Sequence, residues 1–251
     1  MTIIKRCAIT ALCGLLTPAA FADPCLTLEK LSQLESREIT YLVGRIPPAF
    51  RHAVEDQGIS LQMRENEAAP SSTCSVSETM TIPKEDIAEV TKLLDRDPAK
   101  RILLFSQGYS LPSESRLEAS FAVDPTNLEI AQQDILQTGS LGKLRASVEM
   151  MYSMLSQSRA ETEEPAETLQ PWGDASKRKT TKSCLSKFRT KGNLQQACEC
   201  RSAQLEKHYS ARRLDHLEYV LSNPYAMATG AAKDYTIQQE SIHARCELSP
   251  G

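Results

Sequence analysis

Residues 117–155 read LEASFAVDPTNLEIAQQDILQTGSLGKLRASVEMMYSML, and two periodicities meet within them. Leu117, Ala119, Phe121 and Val123 alternate with polar or small neighbours, the period-two pattern of a strand with one covered face. Asp124 then stands at a capping position and Pro125 at the first helical one. Leu128, Ala131, Ile135 and Leu136 share a face that Gly139 closes. Ser140 stands as the cap of a second helix, whose stripe is Leu141, Leu144, Val148, Met151 and Leu155. A strand followed by helices that must cover it predicts an α+β arrangement with a small sheet.

Upstream, Leu28, Leu31, Leu34, Ile39, Leu42 and Val43 predict a helix over 27–44, stopped by Pro47 and Pro48. A short helix over 49–56, a strand over 59–63 and a polar loop over 65–73 follow. Pro83 opens a helix bearing Ile87, Val90 and Leu94 that ends by Pro98. The apolar run 102–105 reads as a short buried strand. With 251 residues, 41% hydrophobic and 24% charged, the chain is too apolar for a disordered protein and too poor in glycine and proline for a fibrous one.

The first residues have the form of an export signal. Lys5 and Arg6 precede an apolar run from Cys7 to Leu16, and Ala20-Phe21-Ala22 offers a cleavage pattern. A signal peptide over 1–22, cut near Ala22, predicts a periplasmic or secreted protein, with no membrane-spanning segment after cleavage. Six cysteines then remain, and an even number in an oxidising compartment predicts disulfides. Cys25 and Cys74 stand apart from Cys184, Cys198, Cys200 and Cys246, so Cys25–Cys74 is the simplest first bridge. Cys198 and Cys200 are too close in sequence to join each other easily, and each should take Cys184 or Cys246.

Four domain-level segments result: the signal, an α+β domain over 23–160, a flexible linker over 161–182 and a small all-α, disulfide-braced module over 183–251. The helical pattern of that module runs through Leu194, Cys198, Leu205 and Tyr209, then Leu214, Leu217 and Leu221, with a last helix near 237–246. Charge divides the same way. Residues 23–170 carry 14 basic and 24 acidic side chains, whereas 177–213 carry 11 and 2.

That basic stretch points to an anionic partner, a protein or another envelope component, with nucleic acid disfavoured by export. Lys187, Arg189, Lys191, Arg201, Lys207, Arg212 and Arg213 are the candidate contacts, and Trp172 is a candidate anchor. Two other readings compete with this binding protein. One is an exported hydrolase with its site near Ser106 or Glu149, although no Gly-x-Ser-x-Gly or His-Glu-x-x-His motif is present. The other uses Cys198 and Cys200 for thiol exchange or a soft metal, with His208 the nearest further ligand. Gly139-Ser140-Leu141-Gly142-Lys143 echoes a phosphate-binding loop, but position 137 is Gln and position 144 is Leu, so a helix-to-helix turn explains it better. The sequence predicts no cofactor and no metal site.

Overall fold

The computed structural model describes residues 24–51, 58–66, 72–109, 111–162, 164, 169–222 and 230–251. The signal segment, and the parts of the expected helix at 49–56, loop at 65–73 and linker at 161–182 that fall between these ranges, lie outside the described residues. The fold is mixed α and β, with a small antiparallel sheet, a majority of helices and three disulfides.

Helix α1 (Leu28–Arg45) starts where the Thr27 side chain accepts from the Lys30 N–H, with Glu29 in the positive first turn and Arg45 in the last. Its buried positions are Leu34, Glu38 and Leu42, one face at i, i+4 and i+8. Leu28 is 86% exposed and Ile39 is also exposed, so the expected apolar stripe is rotated, with an acid in its centre. After a 3-10 turn at Pro48–Phe50, strands β1 (Ser60–Glu65), β2 (Cys74–Thr81) and β3 (Arg116–Val123) form the sheet in that order. In register, Met63 faces Glu78 and Glu78 faces Ala119. On β2 the inward row is Cys74, Val76, Glu78 and Met80.

Helix α2 (Lys84–Arg96) buries Ile87, Val90 and Leu94 as the spacing requires. The run 102–105 is not a buried strand. It belongs to helix α3 (Pro98–Ser106), in which Asp97 accepts from the Lys100 N–H and Pro98 takes the first turn, a start signal that outweighs the short apolar run. Ile102 and Phe105 are 70% and 81% exposed, and Leu104 is buried. The helix expected from Asp124 to Gly139 also contracts. Asp124 makes a turn by accepting from the Thr126 N–H, Leu128 adopts a left-handed φ of 59°, and Ile130 bridges back to Val123. Only helix α4 (Gln132–Ile135) remains.

Helix α5 (Ser140–Glu161) is the longest among the described residues, and ten of its residues are buried. Ser140 does not cap it, because its hydroxyl accepts from the Ser120 N–H of β3. A Cβ added at Gly142 would stand 1.9 Å from the Leu136 carbonyl oxygen, and one at Gly139 would stand 2.2 Å from that of Gln133. These glycines let α5 start against the α4 backbone, which accounts for them without a phosphate.

The expected linker is partly helical. Helix α6 (Asp174–Lys187) takes in its residues from 174 onward, and Trp172 just before it is buried. Strand β4 (Phe188–Arg189) pairs with the terminal β5 (Ser249–Pro250), and between them lie α7 (Leu194–Glu206), α8 (Ala211–Ser222) and α9 (Gly230–Arg245). The last helix therefore begins earlier than position 237, whose Ile is exposed. Disulfides join Cys25 to Cys74, Cys184 to Cys198 and Cys200 to Cys246.

Helix α8 lies on α5 and on the 3-10 turn. Ser156 Oγ is 2.9 Å from His216 Nδ1, the Phe50 and His216 rings are 5.3 Å apart, and Arg213 Nε donates to the Ala160 carbonyl at 3.3 Å. The C-terminal helices thus pack directly on the segment that precedes them.

Candidate functional site

Two places in the molecule gather charge: the outer side of the C-terminal helices and a cavity in the sheet-bearing half. On the first, Lys187, Arg189, Lys191, Lys207 and Arg212 are exposed. Arg178 and Lys182, one turn apart on α6, are exposed as well. Apart from Arg212, these side chains lie on α6, on β4, in the turn after β4 and at the C-cap of α7, and among the described residues none of them forms a salt bridge. Burial and the neighbouring Arg159 lower the pKa of Arg212, with Asp86 and Glu89 acting in the opposite direction, so this side chain looks toward α2. Lys177 pairs with Glu206 at 3.1 Å and Lys179 with Asp215 at 2.6 Å.

Three sequence candidates do not belong to that surface. Arg201 is 3% exposed, donates from Nε to His243 Nε2 at 3.2 Å, lies 3.5 Å from Glu218 and packs over Phe188. It shares a face with Cys198 and Leu205, and burial holds because every neighbour answers its charge or its plane. Arg213 is half-buried and bonded to the α5 carbonyl. Trp172 is 5% exposed, with its indole N–H donating to the Tyr209 carbonyl and its backbone N–H to Glu206, so it pins α6 to its own helices.

The cavity, of about 620 Å³, lies between α1, α3 and α5, with Tyr219 of α8 on its margin. One turn of α1 supplies Tyr41 and Arg45, and one turn of α5 supplies Arg145 and Glu149. Tyr41 donates to Glu149 at 2.8 Å, and burial first, then this carboxylate, raises the phenol's pKa. The Arg145 guanidinium sits 4.1 Å from the Tyr41 ring centre and forms a fork with Glu38, through Nε at 2.8 Å and a second N–H. Arg45 lies 5.4 Å from the same ring. Lys100, from α3, donates to Gln157 at 3.1 Å. Leu103, Leu104, Ile135, Met150 and Met154 make the apolar walls.

Behind Arg145 lies Glu78. It is fully buried, and neither carboxyl oxygen has a hydrogen-bond partner among the described residues. Burial, reinforced by Glu38, pushes its pKa up to about 8, so it is a neutral acid at pH 7. Arg145 thus has two acids near it, Glu38 in the fork and the protonated Glu78.

The hydrolase candidates fall apart spatially. Ser106 is exposed at the end of α3 and donates to its own Leu103 carbonyl, whereas Glu149 lines the cavity and is occupied by Tyr41. The one buried serine–histidine contact among the described residues, Ser156 with His216, was not apparent from spacing, since 60 positions separate them. Both side chains are buried between α5 and α8, where they serve packing. Cys198 and Cys200 are each in a disulfide, which removes the thiol and metal readings of that pair. Among the described residues no group of three or more His, Cys, Asp or Glu is placed to hold a metal ion, and no helix is long and apolar enough to cross a membrane.

Compared with models of protein families, with curated proteins and with solved structures, the chain matches none.

Proposed function

We propose that this is an exported, periplasmic or secreted binding protein that meets an anionic partner, an acidic protein or another envelope component, through the basic side of its C-terminal helices. The observation that carries the reading is the set Arg178, Lys182, Lys187, Arg189, Lys191 and Lys207, exposed cations without a carboxylate within salt-bridge distance among the described residues. Uncompensated charge on a surface steers association with a partner of opposite sign. Three disulfides support an oxidising compartment.

Vesicles of phosphatidylglycerol and soluble polyglutamate test the surface. Raising ionic strength from about 0.01 M to about 0.15 M shortens the Debye length from about 30 Å to about 8 Å, and binding to one of these probes should weaken about tenfold or more. The triple charge reversal Lys182→Glu, Lys187→Glu, Arg189→Glu should abolish it while leaving the circular dichroism unchanged. Binding that ignores both salt and charge reversal would overturn the reading. The hydrolase alternative retains one supporting observation, the placement of Glu149 on a cavity wall.

A further inference from the structure

We propose that the cavity between α1, α3 and α5 is a second binding site, specific for a small amphipathic anion with a carboxylate at one end of an apolar body. The inference is independent of the basic C-terminal surface. A cavity of about 620 Å³ has the size of a small-molecule site, with apolar walls and a few polar groups that fix orientation.

Charge selects the ligand's sign. Residues 23–170 carry ten more acids than bases, from 24 against 14, yet the lining holds Arg45, Lys100 and Arg145 against the single carboxylate Glu149. Even with Glu38 set against Arg145, one positive charge remains. Lys100 is its natural owner, because among the described residues its ammonium meets the neutral Gln157 amide oxygen and forms no salt bridge. Arg45 has no carboxylate within salt-bridge distance among the described residues and adds to the same field. A carboxylate bound at Lys100 supplies the missing counter-charge in a partly desolvated place, where a charged hydrogen bond is stronger than in water.

The walls select the rest of the molecule. Leu103 and Leu104 stand one turn along α3 from Lys100, and Met154 stands one turn before Gln157 on α5. An apolar body leaving the head group at Lys100 meets these side chains, and Met150 and Met154 adapt to its shape. Ile102 and Phe105, exposed elsewhere on α3, are not part of the lining.

Isothermal titration of the disulfide-intact chain with decanoate, decanol and decyltrimethylammonium, each kept below its micelle concentration, tests this. Decanoate should bind with one-to-one stoichiometry and about tenfold or more tighter than the other two. Lys100→Glu should remove that preference, and Met154→Trp should weaken binding of every probe by filling the cavity. The pair Ile102→Ser, Phe105→Ser should leave affinity unchanged, with circular dichroism confirming the fold of each variant. Equal affinity for the three head groups, no binding, or loss of binding in the Ile102/Phe105 variant without any effect of Lys100→Glu would each overturn the proposal. Because Lys100→Glu leaves the buried Leu104 of α3 unchanged, it keeps the test open even if the larger Met154→Trp change prevents folding.

Discussion

The sheet-bearing half and the C-terminal helices keep their shape by different means. Among the described residues, 26 buried apolar side chains form the first core, spanned by one disulfide. The second core has 15, three of them cysteines, and two disulfides cross it. Hydrophobic stabilisation grows with buried area, so a small core leaves more of the entropy of ordering to be met in other ways. Cross-linking meets it by restricting the unfolded chain. Both halves pair a buried ion, Glu38 with Arg145 in the first and Arg201 with Glu218 in the second, and among the described residues the first also buries an acid that has no hydrogen-bond partner. Arg201 in the second is answered by Glu218, His243 and Phe188, whereas Glu78 in the first has no hydrogen-bond partner among the described residues and remains protonated. A neutral acid is tolerated in a large apolar core, but a guanidinium always carries its charge and must bring partners with it.

The largest test of this contrast removes cross-links. Cys200 and Cys246 close a loop of 46 residues, so the double change to serine should cost about 4 kcal/mol in the chain-entropy account. Trp172, the only tryptophan, lies in the second core and makes its unfolding visible by fluorescence. In urea its transition should move much further for Cys200→Ser, Cys246→Ser than for Cys25→Ser, Cys74→Ser. Equal displacement would show the two cores to unfold as one unit and would break the contrast.

The next effect belongs to Glu78. Its proton is held more tightly in the fold, near pH 8, than in the unfolded chain, near 4.5. Stability from this group is complete below pH 4.5 and is lost as pH rises through 8, by roughly 3 kcal/mol up to pH 7. Glu78→Gln should therefore flatten the fall in urea midpoint between pH 5 and 8. An unchanged slope would mean that other groups produce it. The smallest effect is at the surface: Lys179→Ala breaks an exposed pair with Asp215 and should change stability by less than about 1 kcal/mol, read as a shift of a few degrees at most in thermal melting.

Periodicity made much of the first half legible, since α2, α5, β1 and β3 follow patterns that local sequence carries. Strand β2 did not show because its inward row places Glu78 between Val76 and Met80, while Ser and Thr dominate the rest. Helix α6 resembled a linker for a similar reason: its buried positions are Thr180 and Cys184, with cations around them. A usable signal did exist for the buried ions. Glu38 falls four residues after Leu34 and four before Leu42, and Arg201 falls between Cys198 and Leu205, so each charge interrupts an apolar stripe at helical spacing. The grouping of the disulfides was legible from the placement of the cysteines, whereas the choice between Cys184 and Cys246 for Cys198 and Cys200 comes from the structure. The cavity was out of reach, since Tyr41 and Glu149 are 108 positions apart and nothing local says that α1 faces α5.

Helix α5 contributes to both cores. From Leu141 to Leu155 it belongs to the first, its Met150 and Met154 form cavity wall, and Ala160 belongs to the second. Its buried residues point in several directions around the axis. Few of its positions are therefore free to vary, and a lineage of such proteins would accumulate changes readily at outward positions such as Ile102 and Phe105 while this one segment stayed nearly fixed, like the spine of a book whose pages are rewritten.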